Sequence, residues 1–179
     1  GKRHPYVSDY KIGLSKEGKI LAYEVTYYQN SGAAADLSTA ILDRTLSHST
    51  NSYFIPNVKA TGWCCKTNLA PNTAFRGFGG PQGMFVIESA IHKASKELGL
   101  DVHRIQSVNL FNEGEEFPFG QKTENCKARV CFDTLNKKMD IEKVKKETED
   151  FNSENKLFKK GFALMPICFG ISFTNTMLN

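Results

Sequence analysis

Residues 73–99 read TAFRGFGGPQGMFVIESAIHKASKELG, a glycine-rich loop that runs straight into an amphipathic helix. Pro81 sits where a first-turn proline belongs, since that position has no intrahelical amide bond to lose. Met84, Ile87, Ile91, Ala94 and Leu98 then recur at spacings of three and four, which lines them along one helical face. Gly99 follows as the C-cap residue. On the N-terminal side, Tyr10–Leu14 and Ile20–Tyr28 alternate with period two (Tyr10, Ile12, Leu14; Leu21, Tyr23, Val25, Tyr27). With Lys16-Glu17-Gly18 between them as a turn, they predict a β-hairpin. Ser31-Gly32 and the alanines 33–35 break the pattern, and a helix capped by Asp36 or Ser38 is expected to run to about Ser49. A strand is expected over Asn57–Lys66. Strands and helices segregate loosely along the chain, so the predicted class is α+β, with mixed sheets packed with helices.

Beyond Gly99, Asp101 is an N-cap for a short helix ending near Leu110. Glu113–Lys127 is polar and glycine-containing and reads as a surface loop. Asp133–Lys160 interleaves acidic and basic residues, the pattern of a solvent-facing helix or pair of helices. Gly161–Phe173 reads as one or two buried strands. No internal domain boundary is evident within residues 1–179, and a chain of this size can bury roughly 70% of its unfolded surface without a disulfide or structural metal. The formal charge is +4, from 23 basic and 19 acidic residues spread along the chain, so no basic run points to nucleic acid. No apolar stretch reaches the roughly 20 residues of a membrane span. The five cysteines, Cys64, Cys65, Cys126, Cys131 and Cys168, form no CxxC pair and read as reduced, buried or idle thiols of a cytoplasmic protein. A start at Gly1 in a basic, strand-like stretch suggests a piece of a longer polypeptide.

The chemistry concentrates in the loop. Gly77, Gly79 and Gly80 permit positive φ and close backbone approach to a ligand. The helix after Pro81 turns unpaired amides and a positive dipole end towards the loop, a natural anion site, to which Arg76 adds charge. Phe75 and Phe78 flank Arg76 and either face a ligand or plug the core. The spacing departs from GxGxxG, and no buried strand precedes it, which disfavours a dinucleotide fold. Leu37, Ile41, Arg44 and His48 fall on one side of the preceding helix. An arginine on that stripe requires a carboxylate, a carbonyl or an anionic ligand, unless it snorkels to water. His48 reads as a packing histidine, and Glu88, beside the stripe of the main helix, as an ordinary flank or surface residue. No GxSxG, HExxH or P-loop occurs, and the four histidines lack metal-ligand spacing.

With those residues in place, the sequence resembles the xanthine dehydrogenase family of molybdenum hydroxylases. The resemblance runs through GKRHPY, the DLS…DRTLSH helix, CKTNLAPNTAFRGFGGPQG and KKGFALMPICFGISFT, essentially the whole chain. It implies a fragment of the molybdopterin-binding domain, with molybdenum on molybdopterin as cofactor and water as the source of the oxygen placed on a substrate carbon. It further implies that Phe75, Arg76, Gly77 and Gly79 approach the cofactor, with the Arg76 backbone near the metal centre and no side-chain ligand. Phe78 would stack on a flat heterocycle, and Arg44 would bond a substrate carbonyl and stabilise charge built up on the ring. Arg44 favours a purine, hypoxanthine or xanthine oxidised to urate, over an aldehyde; Asp43 stands where the family's xanthine enzymes often have Glu. Other domains or subunits with 2Fe–2S clusters and FAD, and a dimeric intact enzyme, belong to the same expectation. The catalytic glutamate is expected outside residues 1–179, which would leave this piece inactive alone. The alternatives are a hydroxylase of aldehydes or other N-heterocycles, or a non-catalytic binding module that kept the loop.

Overall fold

The computed structural model describes residues 1–170. Along the chain run β1 (Tyr6–Leu14), β2 (Ile20–Gly32), α1 (Ser38–Ser47), β3 (Val58–Lys66), α2 (Gly80–Leu98), α3 (Val102–Asn109), α4 (Ala128–Met139) and α5 (Ile141–Glu154). The strands form one mixed sheet in the order β1-β2-β3. β1 pairs antiparallel with β2 through the hairpin, and β3 returns parallel to β2 after the crossover through α1. This is the α+β arrangement that the two periodicities predict.

The central strand decides where the core lies. On β2, Tyr23, Val25, Tyr27 and Gln29 all point inward at period two. Against them α2 sets Val86, Ile87, Ala90 and Ile91, with Tyr53, Ile105 and Leu110 closing the cluster. The α2 stripe is buried as expected from Met84 to Ala94, but Leu98 is exposed at the last turn. Gly99 caps the helix in the left-handed region, and Asp101 caps α3 by accepting from the amides of His103 and Arg104.

Several local expectations shift. The pairing register slips at Gly13/Leu14, so Ile20 rather than Leu21 enters the core; the Ile20 amide donates to Asn109 Oδ1 at 2.9 Å. β2 continues through Ser31-Gly32 because β3 pairs with it there, and the break falls at Ala33. Neither Asp36 nor Ser38 caps α1. Asp36 accepts from the Leu37 amide and from Thr73, while Ser38 Oγ meets His4 Nε2 at 2.8 Å. The charged stretch is a helical pair beginning earlier, at Ala128, and ending at Glu154, with only Phe132 and Ile141 buried. All five cysteines are unpaired, and each is exposed or half-buried rather than buried. No helix among the described residues is long and apolar enough to cross a membrane.

The expected buried strand over 161–173 is corrected for its described part: residues 161–170 contain no strand or helix, and 171–173 lie outside the described residues. The alternation that suggested a strand is real, since Phe162, Leu164, Pro166 and Cys168 are half-buried while Met165, Ile167 and Phe169 are exposed. No neighbouring strand pairs with it among the described residues. Pro166 has no amide to give a ladder, and the segment is held by side chains instead.

Candidate functional site

The loop Thr67–Gly79 is fastened at both ends before it reaches α2. Thr67 and Asn72 donate backbone amides to the end of β2, at Gly32 and Ser31, and Thr73 donates its own to Lys2. Asn72 adds a side-chain bond to Asn30 O at 2.9 Å, and Thr73 Oγ1 one to Asp36 at 2.7 Å. That bond from Thr73, and then the Leu37 amide, hold the Asp36 carboxyl below its usual range. Arg3 clamps the loop from outside: Nη2 donates to Arg76 O at 2.7 Å, and the guanidinium lies 4.4 Å from the Phe75 ring centre. The Arg76 side chain itself is exposed, so it is the backbone of this residue that is positioned.

Three consecutive residues then take positive φ: Gly77 at 91°, Phe78 at 49° and Gly79 at 96°. Gly80, expected among the permissive glycines, is instead the first helical residue, and the left-handed Phe78 was not legible. The turn brings Gly79 onto α1. A Cβ there would stand 2.1 Å from Ile41 O, and one on Gly83 2.6 Å from Thr45 O, so the start of α2 lies backbone to backbone on α1. Thr45 Oγ1 reaches Gly79 O at 3.0 Å.

Arg44 follows from this docking. It shares the inward side of α1 with Ile41 and His48, as the spacing predicted, and is only 5% exposed, whereas Leu37, the fourth residue of that stripe, is exposed at the N-cap. Nη1 donates to Gly170 O at 2.9 Å, and the guanidinium carbon lies 5.2 Å from the Phe169 ring centre. A Cβ on Gly80 would stand 2.6 Å from Phe169 Cε2, so the first residue of α2 and Arg44 both lie close to this ring. Arg44 Nε is buried and has no partner among the described residues. Burial lowers the affinity of Arg44 for its proton, though a guanidinium stays charged at neutral pH.

His48 is satisfied by packing, with its tautomer fixed by its neighbours. Nδ1 lies 2.8 Å from Arg44 O, which can only accept, so Nδ1 carries the hydrogen. Nε2 accepts from the Gly170 amide at 3.1 Å. Burial, and then the nearby Arg44 charge, push the imidazole below its ordinary 6.5.

Glu88 is not the flank residue expected. Its carboxylate accepts from Tyr53 Oη at 2.6 Å, Asn51 Nδ2 at 3.0 Å and Gln106 Nε2 at 2.9 Å. Burial raises its pKa against those three donors. The partners sit on other segments, so local sequence carried no sign of them beyond Glu88's place beside the stripe. A groove of about 750 Å³ is lined by Phe111, Phe117, Phe132 and the segment Leu164–Cys168, and includes neither Arg44 nor Phe78.

Residues 1–110, which contain the clamped loop, α1 and α2, match the molybdopterin cofactor-binding domain. The chain belongs to that family. Over 179 residues it is 46% identical to the xanthine dehydrogenase/oxidase of Gallus gallus, covering 100% of this chain and 13% of that protein. It is 43% identical over 178 residues to the nicotinate hydroxylase hnxS of Emericella nidulans, covering 99% of this chain and again 13% of the relative. The chain thus spans about 13% of the length of these curated relatives. Among solved structures, the aldehyde oxidoreductase of Desulfovibrio gigas superposes with a TM-score of 0.76 at 30% identity, over 83% of this chain and 16% of that one.

The residues of the loop and its clamp fit a molybdopterin in kind. Among the described residues the amides of Arg76 and Gly77 have no acceptor, and Arg3 Nη1 and Gln82 Oε1 are buried without a partner. A phosphate-bearing group with an amide-like ring edge can use donors and an acceptor of this sort.

Proposed function

We propose that this domain forms part of the cofactor and substrate pocket of a molybdenum hydroxylase acting on a purine, with hypoxanthine or xanthine carried to urate. When bound, molybdopterin supplies the molybdenum centre at which a ring carbon takes up oxygen from water. The Phe75–Gly77 backbone and Gly79 hold the cofactor side, Arg3 keeping the Arg76 carbonyl turned away so that the neighbouring amides face inward. Phe78 offers a ring face to the heterocycle. Arg44 meets a substrate carbonyl with an N–H not taken by Gly170 and stabilises negative charge that grows on the ring. The intact enzyme carries its 2Fe–2S clusters, FAD and catalytic glutamate elsewhere, works in the cytoplasm as a dimer, and this piece alone has no turnover.

The observation that carries this reading is a buried arginine whose Nε has no partner among the described residues, set against the same Phe169 ring that the first residue of α2 approaches. A buried guanidinium nitrogen without an acceptor is costly, and a substrate carbonyl relieves that cost. Arg44→Met in the full-length enzyme should lower kcat/KM for xanthine by about 10²-fold or more while leaving molybdenum content unchanged. Undiminished xanthine turnover would remove Arg44 from the substrate. Likeness to a nicotinate hydroxylase supports a second reading, an anionic N-heterocycle as substrate. Parallel assays with xanthine, nicotinate and an aldehyde separate the two, and a protein that binds no molybdenum would be a non-catalytic module.

A further inference from the structure

The segment Leu164–Gly170 has no partner strand among the described residues, yet its backbone is pinned at every second residue. Gln106 Nε2 donates to Leu164 O at 2.9 Å. Asn51 holds two rungs, donating Nδ2 to Pro166 O at 2.7 Å and accepting the Cys168 amide on Oδ1 at 3.1 Å. Gly170 closes the series, its amide on His48 Nε2 and its carbonyl on Arg44 Nη1. Side chains thus do the work of a ladder, and they must present the correct end of each amide to do so.

A side-chain amide has no intrinsic preference for one orientation, so something must fix which end is donor. Glu88 does this for both. An ionised carboxylate accepts only, and it takes one amide hydrogen each from Asn51 and Gln106 while each of those nitrogens also reaches the strap. Tyr53 Oη, fully buried, supplies the third donor. Asn51 is held in the left-handed region at φ 49°, and that fixed backbone limits where its amide can point.

We infer that Glu88 is a positioning residue: by orienting Asn51 and Gln106 it seats the strap 164–170, and the strap's end in turn seats Arg44 and His48. The consequence for substrate rests on the role proposed for Arg44; the seating of the strap does not. The hydrogen-bond partners of Glu88 among the described residues are Tyr53, Asn51 and Gln106, none of them in the loop 73–83.

The test is Glu88→Gln in the full-length enzyme, an isosteric change that turns an NH₂ toward a donor. Amide exchange at Cys168 and Gly170 should accelerate on the order of tenfold or more, because a hydrogen bond to a charged group is lost at the hub, while amides of β2 keep their protection. Molybdenum content should be unchanged, and KM for xanthine should rise by about tenfold with a smaller fall in kcat. Unchanged exchange at those two amides overturns the proposal. Faster exchange there with unaltered xanthine kinetics supports the seating role of Glu88 and instead overturns the role of Arg44. If Glu88→Gln lowers the yield of folded enzyme, Tyr53→Phe removes one donor from the same carboxylate. It should accelerate the same two amides by a smaller factor, and no acceleration there overturns the proposal as well.

Discussion

Gly79 has less freedom than any other residue at the site. Its φ is 96°, and a Cβ added to it would meet the Ile41 carbonyl oxygen at 2.1 Å, which leaves no room for a side chain. Gly79→Ala should therefore cost at least about 2 kcal/mol, by strain and by forcing α2 off α1. The check is the melting temperature and molybdenum content of the full-length enzyme, and an unaltered Tm would show that the contact is not tight. His48 gives a pH dependence of definite sign. Its pKa is lowered in the folded state, so its contribution is complete above the unfolded value of 6.5 and is lost as pH falls from there towards the lowered value. Protonated Nε2 can no longer accept from Gly170. Protection of the Gly170 amide, corrected for intrinsic exchange, should fall on acidification below that value, and in His48→Gln this pH dependence should vanish.

Among the elements, α2 contributes most to the core and its contribution is local in origin. Ile91 is fully buried in the core cluster, and Ile91→Ala should destabilise by about 2–5 kcal/mol, seen as faster amide exchange throughout α2. The α4–α5 pair behaves differently. Lys145 joins it to the α3 cap through Asp101 at 2.8 Å and to Glu142 at 2.9 Å, at a partly exposed site. Lys145→Ala should cost under about 1 kcal/mol and leave exchange in α2 unchanged. The same contrast explains what the sequence could disclose. Helix α2, its proline start and Gly99, and the hairpin were readable because their signals repeat within a few residues. Arg44's inward place on α1 was readable for that reason too. The positive φ of Phe78 was not, since phenylalanine carries no left-handed preference and the turn is imposed by the docking of Gly79 on α1. Glu88 escaped because Tyr53, Asn51 and Gln106 converge on it from other segments, and the strap because alternation reveals an extended chain but not what holds it.

At the level of the whole molecule, apolar side chains remain in water at widely separated places: Trp63 on β3, Phe85 on α2, Leu157 and Phe158 after α5. A chain spanning about 13% of its relatives' length has much further surface to meet in the enzyme proposed for it. Produced alone, the 179-residue chain should bind an apolar dye such as ANS and show no xanthine turnover, whereas the full-length enzyme should do the reverse. A lone chain with low dye binding would mean these side chains cover one another in solution.

The rungs under the strap also impose an order in time. Arg44 waits for a carbonyl 126 residues further along, and Asn51 for an amide 117 residues away. During synthesis at about 5–20 residues per second, the loop and α1 are complete several seconds before Gly170 emerges from the ribosome. For that interval the Arg44 guanidinium lacks both the Gly170 carbonyl and the Phe169 ring that later lie against it.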